Sequence, residues 1–525
     1  MADDPSRPTF TPTWPLCATD GCTGRRIETF SACLEHLRNS ELDIFLERIG
    51  RGGDLDLRGT VLGPKNLDRL LAALNSGRGT RFGKADFSYC TFHRYWDKAG
   101  QGPRVEGVIP FNRAVFDGAA RFVAATFEGG VTFWGTSFLS GTSFEGAVFR
   151  GRTSFSGVEV SGDALFSGAR FEGETDFGLS KVESVRLGAA FFAKRAYVVV
   201  KGESVTADEA RFEGGVEFYV HDASVRLERT YFGGPSSVNG AESKARVLSV
   251  RGTDLSDLTF ANVDLSQCLF AGAHQVDKVR LEGWTPFAEP PNGWRIGWAW
   301  PPVWRWGRRQ VLAEEFPWRA RHTKRAGWTS PTLAMGLQRD NTGAERLAVM
   351  YRSLRKALED GKNEAGAGDF YYGEMEARRH SRSTKGGERA VLWAYWLLSG
   401  YGQRASRAFG ALIVLVGLLT LLLTSYGLPD GTALQQMTGT IPPAVAGVPQ
   451  QVVLEVKPGP VSLPADRWTA DRASKAVRIA LGSVVFREAD QRLTPAGVWT
   501  VMAGRAFGPL LLALAVLAIR ARVKR

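Results

Sequence analysis

The sequence has few of the residues that mark a secreted or a catalytic protein. It has five cysteines and six histidines in 525 residues. The cysteine number is odd, and Cys17, Cys22 and Cys33 cluster near the start while Cys90 and Cys268 are isolated. This distribution does not indicate the disulfide framework of a secreted domain. The opening residues, MADDPSRPTFTPTW, lack a signal-peptide pattern, so most of the chain is expected to be cytosolic.

Catalytic sequence motifs are also missing. We find no Gly-x-Ser-x-Gly, Walker loop, His-Glu-x-x-His or dinucleotide-binding motif. Gly366 and Gly368 form a Gly-x-Gly that does not follow a predicted strand. Glu374 and Glu376, beside two tyrosines, are interpreted as solvated and packed faces of a helix. We therefore expect no enzymatic activity, no catalytic residue and no cofactor-binding residue.

Glycine and regularly spaced phenylalanine are abundant. The chain has 60 glycines. Most of the Phe residues lie two positions after a small or β-branched residue, and glycine often follows two positions later. A run with a strict step of five, Leu255 to Phe270, closes this region. The Phe steps otherwise alternate mostly between five and six, at positions 111, 116, 122, 127, 133, 138, 144, 149, 155, 166, 171 and 177.

A step of five fits neither a helix nor a simple strand. It fits a chain that turns a corner every five residues and points one large and one small side chain inward on each side. About twenty residues then make one four-sided coil, so roughly 200 residues make about nine or ten coils, stacked ~4.8 Å apart. The Phe side chains are expected to form an internal ladder that is the core.

These residues resemble the pentapeptide-repeat family, whose pattern is A-(D/N)-(L/F)-x-x. The match is specific at 111–177 and 253–272. The resemblance implies a mainly β fold, a right-handed quadrilateral β-helix, over 85–283. In the segment 51–84, Leu57, Leu62 and Leu67 lie five residues apart and predict a stub coil leading into a short helix. Some members of the family mimic DNA with an acidic surface and bind type II topoisomerases. The repeat here is only weakly acidic, so that role is not expected.

The N-terminal segment, 1–50, contains a candidate metal site. Cys17, Cys22, Cys33 and His36 form two short ligand pairs joined by a loop. Three thiolates and one imidazole suit tetrahedral zinc. Because the segment has little apolar sequence, bound metal would supply missing folding energy. The alternative is four unconnected residues in a flexible terminus. We predict structural zinc.

The segment 284–343 is predicted to be a linker rich in Trp and Arg. It contains WRIGWAWPPVWRWGRR. Such a segment can stack nucleotide bases, dip into a membrane interface, or form an irregular collar on the last coil. Residues 344–403 follow as a helical hairpin and juxtamembrane helix, with Leu347, Met350, Tyr351, Leu354 and Leu358 on one apolar face.

The final segment, 404–525, is predicted to be a membrane region of two helices with an extracytoplasmic loop between them. Residues 408–428 are uncharged and long enough to span a bilayer. The stretch 506–519 is short for a span unless it extends back to Gly497 and includes Arg505. Most of the net charge of +12 flanks these helices, so both termini are placed in the cytosol.

The C-terminal region carries its own resemblance. YRSLRKALED, DFYYGEMEARR and LLSGYG look like bacterial pentapeptide-repeat membrane proteins that end in a pair of helices related to two-helix ion channels. In such a channel, a pore helix and a T-x-G-(Y/F)-G-like filter would occupy about 473–490. Here that stretch contains ALGSVVFREAD, so the module is interpreted as a degenerate pore region kept as an anchor.

The functional hypothesis is a membrane-anchored scaffold whose β-helix surface binds an unidentified protein partner. The expected partners are membrane lipid and that protein, with a homo-oligomer possible and nucleic acid not expected. The alternative is an ion-channel-like membrane protein with a cytosolic β-helix as its sensor domain.

Overall fold

The computed structural model describes residues 11–50, 52–75, 79–93, 108–240, 244–291, 294–296, 303–305, 309–322, 328, 342–429, 436–438, 455–457, 463–464, 466–485 and 493–523. The chain divides into two compact units, Met1–Ser381 and Arg382–Arg525. About half of the predicted linker, 284–343, lies outside the described residues.

The first unit is built around a parallel β-solenoid of about eight turns. Strands β1 to β13 are Leu55–Asp56, Val61–Leu62, Arg81–Phe82, Ala85–Asp86, Thr91–Phe92, Val108–Pro110, Val115–Phe116, Ala120–Arg121, Thr126–Phe127, Gly130–Thr132, Ser137–Phe138, Thr142–Ser143 and Val148–Phe149. Strands β14 to β26 are Thr153–Leu165, Arg170–Phe171, Thr175–Arg186, Phe191–Phe192, Ala196–Thr206, Arg211–Phe212, Val216–His221, Ser224–Arg226, Tyr231–Phe232, Ser236–Gly240, Arg246–Ser249, Leu258–Ala261 and Arg280–Glu282. The predicted β-helix is confirmed.

Four Phe ladders form most of the core of the earlier coils of the solenoid. Phe133 stacks on Phe111 at 5.1 Å and on Phe155 at 5.0 Å between ring centroids. Equivalent ladders begin at Phe82, Phe87 and Phe92, one for each side of the coil. The alternating steps of five and six therefore give a coil of 22 residues, as in the pairing of Val131 with Thr153. The number of turns is about eight rather than nine or ten chiefly because Ala85 pairs with Ala120, 35 residues later, so that one coil uses much more of the chain than the others.

The repeat signal weakens at 178–209 because the wall of the solenoid changes there. Strands β14, β16 and β18 run for 13, 12 and 11 residues, and they replace the two-residue strands and corners of earlier coils. Inward positions in this stretch are held by aliphatic residues, such as Val198, Val200 and Val205, which are fully buried. Branched side chains favour strands, so the fold continues although the Phe spacing does not.

Helices close both ends of the solenoid. At the N-terminal end lie a 3₁₀ turn, Leu34–His36, and helices α1, Asn39–Ile49, and α2, Pro64–Ala73. At the C-terminal end lie a 3₁₀ turn, Val276–Lys278, and helices α3, Glu315–His322, α4, Ala344–Asp360, and α5, Glu364–His380. Phe287 joins the last coil to α5 by an edge contact with Phe370 at 4.8 Å. The segment 51–84 supplies the first coil, with α2 inserted in it.

The second unit is helical. Its helices are α6, Gly386–Ser399, α7, Ala405–Leu422, α8, Ala470–Val485, and α9, Pro495–Val523, with a π-helical turn, Leu423–Gly427, after α7. Two stretches, Ala405–Gly427 and Pro495–Arg520, have the length and composition of membrane spans, with mean hydropathy 2.4 and 1.9. Two short antiparallel strand pairs complete the described elements. In the first unit, β27, Trp294–Ile296, pairs with β28, Val303–Arg305; in the second unit, β29, Gln436–Thr438, pairs with β30, Glu455–Lys457.

Candidate metal centre

Two local structures bring the four predicted ligands together. An antiparallel bridge between Leu16 and Arg25 closes a tight loop that carries Cys17 and Cys22. The Cys17 amide donates to the Gly24 carbonyl at 2.9 Å, which holds the base of this loop. The other two ligands sit at the 3₁₀ turn, where the His36 amide donates to the Cys33 carbonyl at 3.0 Å. The turn orients both side chains toward the loop.

The four donor atoms lie within 4.8 Å of one another. The two sulfurs of Cys22 and Cys33 are 3.8 Å apart. The Nδ1 atom of His36 lies 3.5 Å from the Cys17 sulfur and 3.4 Å from the Cys33 sulfur. Tetrahedral zinc with ordinary bond lengths separates two sulfurs by about 3.8 Å and a sulfur from a nitrogen by about 3.5 Å. These three distances match these values, so the donor set fits a tetrahedral ion bound through Nδ1 of His36.

The pKa values of the two buried thiols, Cys17 and Cys33, are shifted in opposite directions. Burial acts to raise the pKa of Cys17, but hydrogen bonds from Thr19, from the Cys33 backbone and from His36 outweigh it and lower the pKa to about 6. Burial raises the pKa of the Cys33 thiol to about 12. A coordinated thiol is deprotonated, because the charge of the cation replaces the missing solvation. A bound cation would therefore have its largest effect on the protonation of Cys33, because burial keeps this thiol protonated in the absence of a nearby positive charge.

The cluster is packed against the first coil of the solenoid. Gly24 is buried, and a Cβ atom at this position would lie 3.0 Å from the Cys33 Cβ and 3.1 Å from its sulfur. The Arg25 amide donates to the Arg58 carbonyl at 2.8 Å, and the Thr23 hydroxyl donates to the Gly59 carbonyl at 3.1 Å. The Glu35 carboxylate accepts from the Gly63 amide at 3.1 Å. The segments that carry the metal ligands are thus hydrogen-bonded directly to the first coil.

Comparison with known proteins agrees with the fold. A family model described as pentapeptide repeats (nine copies) matches residues 101–147 and 133–181. The described residues of this match, 108–181, lie in the part of the solenoid with the clearest Phe ladders. The chain contains a pentapeptide-repeat domain. Among solved structures, it is similar to HetL, a pentapeptide repeat protein involved in heterocyst differentiation regulation from the cyanobacterium Nostoc sp. strain PCC 7120, at 12% identity, over 47% of this chain and 95% of that chain, with a TM-score of 0.16. No curated protein matches the chain.

A second polar cluster closes the other end of the pentapeptide-repeat domain, and the sequence analysis missed it. Glu315 on α3 accepts hydrogen bonds from Arg309, from Arg319 at 2.6 Å and from the Tyr351 hydroxyl. Glu376 on α5 accepts from Arg379 at 2.8 Å and pairs with Arg319 at 3.3 Å. The five charged side chains of this cluster are at most 5% exposed. The sequence signal for this cluster was the spacing of Glu315 and Arg319, which lie four residues apart, as in an ion pair along one face of a helix.

The electrostatics of this cluster favour the charged forms of its two carboxyl groups. Burial acts to raise the pKa of Glu376, but Arg319 and Arg379 outweigh it and lower the pKa to about 2. The pKa of Glu315 is also lowered, by Arg309 and Arg319 against the effect of burial. Glu374 is buried as well and pairs with Arg352 at 3.0 Å and Arg355 at 3.3 Å. Neither Glu374 nor Glu376 is solvated, and both hold α5 in place.

Proposed function

We propose that this chain is a membrane-anchored interaction scaffold without catalytic activity, in which a zinc ion completes the N-terminal cap of the pentapeptide-repeat domain. The observation that supports the scaffold role is that both ends of the solenoid are covered by dedicated modules. Repeat proteins need such caps because an open end exposes apolar side chains and unpaired strands. With the ends covered, the side walls are the surfaces left for a protein partner.

The long-strand wall has the composition of an interaction surface. Tyr197, Val199 and Tyr219 point outward there and are 42%, 40% and 38% exposed. Val199 pairs directly with Tyr219 across neighbouring coils, so the three side chains form one patch. Tyrosine is enriched in protein interfaces because it offers apolar area with little loss of conformational entropy.

Zinc is proposed as the ion because the donor set is three cysteines and one histidine whose donor atoms lie within 4.8 Å of one another. Four protein ligands leave no open position for a substrate, which is typical of a structural site. Bound zinc would supply folding energy to the cap. Cys17, Cys22, Cys33 and His36 would hold it, and no chemical step is assigned to it.

Membrane anchoring is proposed from α7 and α9. Both helices carry exposed apolar side chains, including Ile413, which is 72% exposed, and Val516, which is 62% exposed. Burying such side chains in lipid is favourable, whereas exposing them to water is not. Basic residues precede the first span and follow the second, so both termini and the pentapeptide-repeat domain are proposed to be cytosolic.

One observation favours ion conduction as a second candidate. Helix α8 starts level with the end of α7, since the Arg472 guanidinium donates to the Leu428 carbonyl at 2.7 Å. Its other end reaches α9, where a Cβ at Gly508 would lie 2.9 Å from Val484. Gly508 is about 16 Å along α9 from Gly497, which touches Gly427 beside the end of α7. Helix α8 therefore contacts both candidate spans, which is the position expected of a pore helix in a two-helix channel.

The scaffold proposal is tested in native membranes. A photo-reactive phenylalanine is placed at Tyr197 or Tyr219, and at Tyr89 as the control on an early coil, which is also 38% exposed. We expect the chain to resist alkaline carbonate extraction and to give a discrete cross-linked species from the wall positions and not from Tyr89. Release by carbonate contradicts the anchor, and no cross-link from the wall contradicts the scaffold. Ion flux in liposomes carrying purified protein would favour the second candidate.

A further inference from the structure

A cleft lies between the N-terminal cap and the first coils of the solenoid. Its volume is about 730 Å³. Ligand pockets are typically about 300–1,000 Å³. One side of the cleft comes from the loop Arg25–Thr29, which lies between the ligands Cys22 and Cys33, and from α1. The other side comes from strands β1, β4 and β8 and the residues next to them. Phe45, Ile27 and Ile49 give the cleft an apolar shelf on the cap side.

The carboxylates of the cleft are already engaged. Asp56 pairs with Arg25 and with Arg58, the latter at 2.8 Å. Asp86 lies 3.8 Å from Arg58 and accepts from the Ser88 amide at 3.0 Å. Asp54 accepts from the Lys84 amide at 2.8 Å, and Glu28 pairs with Arg25 at 3.5 Å.

Within the described part of the chain, four cations of the cleft have no carboxylate partner. Arg26 and Arg48 lie on the cap side, and Lys84 and Arg121 lie on neighbouring coils of the solenoid side, since β4 pairs with β8. Among the described residues, no ion pair engages any of these four side chains, and Arg48 donates only to the Thr29 hydroxyl, at 2.6 Å. Like charges held in one cleft repel each other, and a bound anion would relieve that repulsion. The guanidinium fork suits the two-oxygen edge of a phosphate.

We propose that this cleft binds an organic phosphate, with the phosphate held by Arg26, Lys84 and Arg121 and the organic part resting on the shelf around Phe45. The ligand would touch the cap and the solenoid at once. Binding would therefore stabilise the docking of the cap against the first three coils. None of the four metal ligands lines this cleft, and the proposal does not depend on the scaffold role.

The test uses the full chain purified in detergent with its metal, and binding is measured by equilibrium dialysis. The probes are adenosine monophosphate, inorganic phosphate and adenosine. We expect adenosine monophosphate to bind best, inorganic phosphate to bind more weakly at the same site, and adenosine not to bind. Arg121→Ala, on the solenoid side and away from the metal ligands, should weaken adenosine monophosphate binding at least about tenfold.

Arg246→Ala is the matched control, because Arg246 is exposed on β24 and forms no ion pair within the described residues. Arg26→Ala is a second cleft variant, and the metal content of every variant is measured so that damage to the cap is recognised. If adenosine monophosphate and inorganic phosphate fail to bind at millimolar concentration, or if Arg121→Ala binds them as tightly as Arg246→Ala does, the proposal is wrong. Tighter binding of inorganic phosphate than of adenosine monophosphate would overturn the role of the shelf.

Discussion

The sulfur atoms of Cys22 and Cys33 lie 3.8 Å apart, although one residue is on a tight loop and the other begins a 3₁₀ turn. Gly24 lies directly against Cys33, and the same segment bonds to the first coil through Arg25 and Thr23. Any ion held at these sulfurs would therefore fix two loops to the solenoid. The stability of the first coil and the presence of metal should be linked.

Removing the metal is predicted to destabilise the cap before the rest of the solenoid. The free energy of metal binding is available to folding only while the ion is bound. A strong zinc chelator should lower the temperature of the first unfolding transition by several degrees and expose residues 11–50 to protease. Readdition of zinc should restore both, whereas magnesium should not, because thiolates are poor ligands for it. Thermal melting and limited proteolysis measure this, and an unchanged melt would contradict it.

The Phe ladder is predicted to contribute most of the core stability per residue. Phe133 is fully buried between Phe111 and Phe155, whereas its neighbour Trp134 points outward and is 48% exposed. Phe133→Ala should lower the free energy of unfolding by about 3–5 kcal/mol, and Trp134→Ala by less than about 1 kcal/mol. Urea denaturation of both variants measures the difference. Equal losses would mean that the ladder is not the core.

Glu314 is predicted to make the C-terminal end of the solenoid less stable as pH rises. Burial raises its pKa to about 7, although the Phe270 and Ala271 amides donate to its carboxylate. The folded chain therefore binds a proton more tightly than the unfolded chain, whose carboxyl has its ordinary pKa. Stability from this group is present below the ordinary pKa and is lost as pH rises from there through about 7. The loss should be on the order of 3 kcal/mol.

The matched variant for this prediction is Glu314→Gln, which keeps an oxygen for the two amides and cannot titrate. The difference in unfolding free energy between the native chain and Glu314→Gln should change between pH 5 and pH 8. The native chain should become less stable relative to the variant as pH rises. Denaturation at a series of pH values measures it. A constant difference across that range would show that Glu314 does not titrate there.

Close helix packing in the second unit gives a further prediction. A Cβ at Gly497 would lie 2.5 Å from the Gly427 carbonyl, and one at Gly504 would lie 2.6 Å from the Ser483 hydroxyl. Gly417 has open space around it. Gly504→Leu should therefore lower the melting temperature of the helical unit in detergent, while Gly417→Leu should leave it nearly unchanged. Similar melting of the two variants would contradict the packing of α8 against α9.

The sequence was most informative where one residue type repeats. The Phe spacing led directly to the four-sided coil, because only inward positions demand large apolar side chains. The spacing of Cys17, Cys22, Cys33 and His36 indicated one cluster, and the structure brings all four together. Whether zinc fills it stays a prediction.

Other features were hidden from the sequence because their signal is spread over distant residues. The charged cluster around Glu315 joins α3, α4 and α5, and its members look like ordinary surface charges until the helices are packed. The wall of long strands was hidden because Val and Leu replace Phe at inward positions. The cleft beside Phe45 depends on how the cap docks, which no local pattern encodes.

The measurement that tests the central claim most directly is the zinc content of the purified full-length chain, determined by plasma mass spectrometry beside Cys33→Ala and Cys268→Ala. Cys268 is also buried but lies outside the cluster. The account predicts about one zinc ion per native chain, the same in Cys268→Ala, and a loss of most of it in Cys33→Ala. Native protein without zinc, or full zinc content in Cys33→Ala, would contradict a metal-completed cap.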